Sequence, residues 1–156
     1  MARLARTAFL ATLLIAVAAL SACGGNDKEA DRYIRELTAA QTTYKTSAER
    51  IEADATATST PREDRRTLDR FAEAVADTVA ALRRIDVPPE VAAEHRRFVA
   101  VYVTWHADIA RFVAAIKNPT RRGVARAQRR IAIANQAFNT SVRKAATDID
   151  AKFAQS

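Results

Sequence analysis

The chain has 156 residues, of which 25 are Lys or Arg and 18 are Asp or Glu, so that its formal net charge is +7. This length is enough for one modest domain with a core of its own and too short for several domains. The single cysteine excludes an internal disulfide, and only three glycines and four prolines interrupt the chain, which shows no alternation long enough for a sheet.

The first 22 residues have the pattern of an export signal. Arg3 and Arg6 precede an apolar run, residues 8–20, that is too short to cross a bilayer. The run ends in Leu20-Ser21-Ala22-Cys23, which resembles the lipobox of bacterial lipoproteins. The resemblance implies cleavage of a signal peptide before Cys23, acylation of that cysteine, and a lipid-anchored protein on the outer face of the cell membrane. An ordinary secretory signal followed by an unrelated cysteine is the alternative.

The first half of the mature chain is predicted to form two helices. Residues 23–26 are the lipidated N-terminus and a short flexible tether. From Asp27 to about Ala57 apolar residues recur at intervals of three and four, which indicates a helix. Thr60-Pro61, with Glu63, then has the pattern of a capping box with proline at the first helical position. This pattern predicts a second helix that runs to about Arg84.

The second half is divided by two further breaks. Pro88-Pro89 ends the second segment, and a third helix with the heaviest apolar face is predicted from Pro89 to about Lys117. Pro119 interrupts the chain again, Thr120 is the predicted cap, and a fourth helix with heptad spacing extends to about Phe153. We therefore predict that residues 27–156 form an all-α domain, an antiparallel up-down-up-down four-helix bundle. Its expected core includes Phe98, Trp105 and Phe138.

A second resemblance lies at the start of the third helix. Leu82, Pro88-Pro89, His95 and Phe98 form a pattern similar to one in small helical lipoproteins of high-GC Gram-positive bacteria. Together with the lipobox, this resemblance covers most of the chain. It implies no catalytic residues.

The sequence contains no recognisable catalytic or metal-binding pattern. His95 and His106 are separated by about 16 Å along a helix, so they cannot ligate one metal ion. Neither histidine follows a glutamate at the spacing of a di-iron bundle, since Ala92 and Val103 occupy those positions. There is also no glycine-rich phosphate loop and no nucleophile elbow. We therefore expect a protein that is not an enzyme and has no metal or other cofactor.

One charge pattern stands out in the last third of the chain. No acidic residue lies between Asp108 and Asp148, whereas nine Lys and Arg residues do. On the fourth helix these cations lie opposite the predicted core face, so they should be exposed. The candidate residues for binding an anion or a partner are Lys117, Arg121, Arg122, Arg126, Arg129 and Arg130. The alternative is a solvated face in an arginine-rich protein.

Two functions remain open at this point. The first is a non-catalytic binding or scaffolding module of the cell envelope, whose partner is an anionic lipid, an acidic wall polymer or an acidic envelope protein. The second is a carrier of a small molecule or metal in a pocket between the helices. A carrier needs a pocket of about 300–1,000 Å³, whereas a scaffold has a solidly packed interior. Nucleic acid is not an expected partner outside the cell.

Overall fold

The computed structural model describes residues 27–54 and 58–155. They form four α-helices, joined by short connections: α1 (Asp27–Ala53), α2 (Pro61–Leu82), α3 (Ala92–Ala114) and α4 (Arg121–Phe153). The described residues include no β-strand. The predicted signal peptide, the predicted lipidation site Cys23 and the predicted tether lie outside the described residues.

The helix starts follow the local chemistry that the sequence indicates. The Thr60 side chain accepts a hydrogen bond from the backbone N–H of Glu63, and the Glu63 carboxylate accepts one from the backbone N–H of Thr60. Pro61 takes the first position of α2, where no intrahelical N–H is needed. At the start of α4, Thr120 Oγ1 accepts from the N–H of Gly123 at 3.1 Å. Both predicted caps are confirmed.

The third helix begins less regularly than predicted. Residues Pro89–Val91 form one turn of 3₁₀-helix, and the α-helix starts only at Ala92. The first bond of this turn runs from the N–H of Val91 to the carbonyl of Pro88. Pro89 takes the first position of this turn, where no intrahelical N–H is needed, and short 3₁₀ turns are common at the start of an α-helix.

Contacts at the two ends of the bundle establish its topology. At one end the Tyr33 ring of α1 lies 5.6 Å from the His95 ring of α3 and 5.8 Å from the Phe153 ring of α4. At the other end the Arg65 guanidinium near the start of α2 donates to the carbonyl of Ile116, just after α3. The helices therefore run alternately up and down, and the predicted four-helix bundle is confirmed. We call the end with the α1–α2 and α3–α4 connections the distal end and the opposite end, where α1 begins, the proximal end.

Aromatic rings fill the middle of the bundle. The Trp105 and Phe138 rings stack with their centroids 5.1 Å apart, and Tyr102 meets Phe138 edge-on, also at 5.1 Å. Tyr44 of α1 contacts the Phe138 ring at 6.3 Å, so that large side chains join α1 to α4. Phe98, Trp105 and Phe138 are buried as predicted. Each such ring removes a large apolar area from water, which is the main driving force for packing the four helices together.

Candidate anion-binding surface

The six candidate cations lie together at the distal end. Lys117 is in the connection after α3, and the arginines occupy the first three turns of α4. All six side chains are exposed, because the arginines of α4 lie on the side away from the buried Val124, Ala127 and Ile131. We call this set the distal basic surface: Lys117, Arg121, Arg122, Arg126, Arg129 and Arg130.

The distal basic surface has no neutralising partner in residues 27–54 and 58–155. None of its six cations forms an ion pair within 4.0 Å there, although eight other ion pairs occur in the same residues. The nine cations that lie between Asp108 and Asp148 in the sequence include an ion-paired residue at each end of the run. Arg111 pairs with Asp108 at 2.7 Å, and Lys144 pairs with Asp148 at 2.8 Å. Of the nine cations in this part of the sequence, the six of the distal basic surface therefore lie close together without an ion pair in the described residues, and Arg143 lies apart from them in the proximal half of α4.

The other side of the distal end is electrically balanced. Residues 45–70, which include the α1–α2 connection, contain six acidic and six basic residues. Arg70 pairs with Asp54 across that connection at 2.7 Å, and Arg65 lies 3.7 Å from Asp69. The positive field at this end thus comes from the α3–α4 side alone.

The position of two of these arginines is electrostatically unfavourable for the helix that carries them. Arg121 and Arg122 occupy the first turn of α4, and no acidic residue accompanies them there. A helix N-terminus has a partial positive charge, so that a cation at this position destabilises the helix by about 0.3–1 kcal/mol. A bound anion would relieve this repulsion, because it faces the side-chain charges and the helix N-terminus together.

A small crevice opens between the end of α3 and the first turns of α4. Its volume is about 280 Å³. Its floor is apolar, since Ile116 and Ala127 are buried and Phe112 is half-buried. Three cations of the distal basic surface form its rim: Lys117, Arg126 and Arg130. The apolar spacing of the sequence predicts core positions for Phe112, Ile116 and Ala127, because this spacing does not distinguish a sealed core position from the floor of a crevice.

His95, by contrast, belongs to the interior of the bundle. Its Nδ1 lies 3.1 Å from the Tyr33 hydroxyl, and its Nε2 lies 3.1 Å from the Leu82 carbonyl oxygen. Burial lowers the pKa of His95 and raises that of Tyr33, because each charged form would lose its hydration. Both ring nitrogens are engaged, so the ring joins helices and is not available as a metal ligand.

The described residues contain neither a metal-ligand cluster nor a membrane-spanning helix. No group of three or more His, Cys, Asp or Glu side chains comes together within residues 27–54 and 58–155 in an arrangement that could hold a metal ion. No helix in this part of the chain has the length and apolar character needed to cross a bilayer. Cys23, the predicted lipidation site, lies outside the described residues.

Comparison with known proteins adds no further site. A scan against models of protein families, a search of curated proteins and a search of solved structures each found no match.

Proposed function

We propose that this chain is a lipid-anchored, non-catalytic module of the cell envelope that binds an acidic partner through its distal basic surface. The observation that supports this proposal is the set of six exposed cations that have no ion pair in the described residues. Such a surface attracts anions over a distance of about a Debye length, roughly 8 Å at physiological salt.

The position of the surface favours a partner beyond the protein's own membrane. The predicted anchor, Cys23, precedes α1 by a few residues, and α1 has 27 residues. At about 1.5 Å per residue, the distal basic surface lies about 40 Å from the proximal end. This distance is several Debye lengths, so an upright bundle presents the surface away from its anchor. If the bundle lay flat on anionic lipid, the proximal half of α4 would be expected to share the charge, but Lys144 there is paired with Asp148, which leaves its neighbour Arg143 as a cation without an ion pair in the described residues.

The packing of the interior supports binding at the surface in preference to carriage of a ligand between the helices. Trp105, Tyr102, Phe138 and Tyr44 occupy the middle of the bundle, with ring centroids between 5.1 and 6.3 Å apart along the contacts that join them. A carrier would need part of that volume for its ligand, and the cleft of about 370 Å³ between α3 and α4, whose lining includes Trp105 and Phe138, keeps carriage of a small molecule as the second candidate.

The experiment compares two charge variants of the full chain in non-ionic detergent. One changes Arg122, Arg126, Arg129 and Arg130 to Gln. The control changes four exposed arginines near the proximal end to Gln and removes the same charge: Arg35, Arg83, Arg84 and Arg96. Binding to immobilised polyglutamate, polyphosphate and anionic-lipid nanodiscs is measured at low and moderate salt.

We expect the wild type and the proximal control to bind an acidic polymer in a salt-sensitive manner, and the distal variant to lose that binding. The proposal is overturned if the wild type binds none of the three probes, or if both variants bind equally well. Strong binding to the nanodiscs alone, weakened equally in both variants, would indicate a bundle that lies on its own membrane.

A further inference from the structure

The crevice at the distal end combines two chemistries that the rest of the distal basic surface lacks. Its floor of Ile116, Ala127 and Phe112 is apolar, and its rim consists of cations without ion pairs in the described residues. A surface that attracts anions by charge alone needs no apolar floor beneath the cations. The apolar floor therefore indicates that the partner has an uncharged, apolar part as well as its acidic groups.

We infer that the crevice receives one aliphatic or aromatic side chain from an acidic segment of a partner protein, while the carboxylates of that segment lie on the cations of the rim. This inference rests on the proposed function and names the chemical class of the partner. An acidic wall polymer supplies charge and hydroxyl groups, but it has no apolar side group to lie against the half-buried Phe112. An acidic peptide supplies both a charge and an apolar anchor.

The size of the crevice agrees with a single side chain. At about 280 Å³ it lies at the lower limit for small-molecule sites, which are roughly 300–1,000 Å³. Interfaces that depend on a few residues commonly use one apolar anchor in a pocket, surrounded by polar contacts. Arg126 and Arg130 are one turn apart on α4, with Ala127 of the floor beside them. One short part of α4 and the preceding connection can therefore contact both the apolar anchor of the partner and the acidic residues beside it.

The geometry of an extended peptide defines the probe. In an extended segment, residues at alternate positions project to the same side. A peptide with Glu, Phe and Glu at alternate positions, separated by Ser, therefore presents the anchor and two carboxylates together. The matched peptide has Ser in place of Phe and the same net charge, so any difference in affinity reports the crevice and not the charge.

Two variants of the protein separate the crevice from the charged surface. Ala115 is exposed and lines the crevice, and its backbone is helical, so Ala115→Phe places a ring in that space without changing any charge. Ala114→Phe is the control, because Ala114 is the exposed neighbour in sequence and is not part of the lining. Affinities of both peptides and of polyphosphate are measured for the full chain in non-ionic detergent.

We expect the wild type and Ala114→Phe to bind the Phe peptide about tenfold more tightly than the Ser peptide, the difference that burial of a ring on an apolar floor should give. Ala115→Phe should bind both peptides with the affinity that the wild type has for the Ser peptide. The inference is overturned if the wild type binds the two peptides equally, or if Ala115→Phe retains the preference. The comparison of the two peptides uses only the wild-type protein, so it does not depend on whether any variant folds.

Failure of this inference and failure of the proposed function have different results. If the wild type binds polyphosphate and the Ser peptide but shows no preference for the Phe peptide, the inference fails and the proposed function stands. If polyphosphate binds equally to the wild type and to Ala115→Phe and the wild type does not distinguish the two peptides, the partner is an acidic polymer and the inference also fails. If the wild type binds no acidic probe, the proposed function itself is wrong.

Discussion

The hydroxyl of Tyr33 on α1 donates a hydrogen bond to Nδ1 of His95 on α3 across 3.1 Å. The direction of this bond follows from the other side of the ring, where Nε2 lies 3.1 Å from the Leu82 carbonyl oxygen. A carbonyl oxygen only accepts, so Nε2 carries the proton and Nδ1 is the acceptor. Leu82 is the last residue of α2. The neutral imidazole of His95 on α3 therefore links α1, α2 and α3 by hydrogen bonds at the proximal end.

This arrangement makes stability depend on pH. Burial holds the pKa of His95 below its ordinary value of about 6.5, so the unfolded chain takes up the proton first as the pH falls. The free energy of unfolding should therefore fall as the pH decreases below about 6.5 and continue to fall until the pH reaches the lower pKa of the folded state. Urea unfolding at a series of pH values measures this dependence.

The substitution His95→Gln should remove the part of the dependence that lies in this window, because glutamine does not titrate. His106→Gln is the control, and it should retain the wild-type dependence. Equal dependence in the wild type and in His95→Gln would show that other groups cause it. Asp150 would act in the opposite direction, because burial raises the pKa of its carboxyl and the folded chain therefore takes up that proton before the unfolded chain does.

Two buried tyrosines should respond oppositely to loss of the hydroxyl. The Tyr44 hydroxyl accepts from Trp105 Nε1 at 3.2 Å, and burial raises the pKa of Tyr44 to about 12. Tyr44→Phe leaves the indole N–H without this acceptor, so the free energy of unfolding should fall by about 1–3 kcal/mol. The Tyr102 hydroxyl is buried without a hydrogen-bond partner in the described residues. Tyr102→Phe should therefore leave stability unchanged or raise it by up to about 1 kcal/mol.

Chemical denaturation of both variants under identical conditions provides the measurement. The two substitutions remove the same atom from the same aromatic layer, so each is the control for the other. A large loss of stability in Tyr102→Phe would contradict the assignment of its hydroxyl as unpartnered.

The first turn of α4 should show a conflict between stability and binding. Arg122→Glu places a negative charge at the helix N-terminus and removes a positive one. We expect the free energy of unfolding to rise by about 0.3–1 kcal/mol and binding to polyglutamate to weaken. Arg130→Glu lies in the third turn, beyond the reach of the helix N-terminus, and should weaken binding without the gain in stability. Equal changes in stability would show that the first turn is not unfavourable for arginine.

The predicted anchor can be tested separately from the bundle. Cys23→Ala should release the protein from membranes or leave the signal peptide uncleaved, since the lipobox resemblance implies that acylation precedes cleavage. Fractionation of cells, followed by mass spectrometry of the N-terminal peptide, measures both results. A variant that remains in the membrane fraction with the same N-terminal mass as the wild type would show that Cys23 is not the anchor.

The local features of the fold were predictable because they depend on near neighbours in sequence. The Thr60–Glu63 capping box, the Thr120 cap and the apolar periodicity involve residues within a few positions of each other, and all three are present in the structure. The exposure of the arginines of α4 follows from the same periodicity. The pairing of Lys144 with Asp148 could also be predicted from the sequence, since residues four apart are neighbours on a helix, although Lys144 is one of the nine cations between Asp108 and Asp148.

By itself, the sequence determined four amphipathic helices, the breaks between them, the bundle class and which side of α4 carries the arginines. Only the tertiary structure decided that Tyr33 meets His95, that Tyr44 meets Trp105 and that Arg65 reaches the carbonyl of Ile116, pairs that are 51 to 62 positions apart. It also decided which cations lack an acidic neighbour and where the crevice opens. These properties depend on how far each helix is rotated about its axis and shifted along its neighbours, and apolar periodicity fixes the buried face of a helix without fixing either quantity.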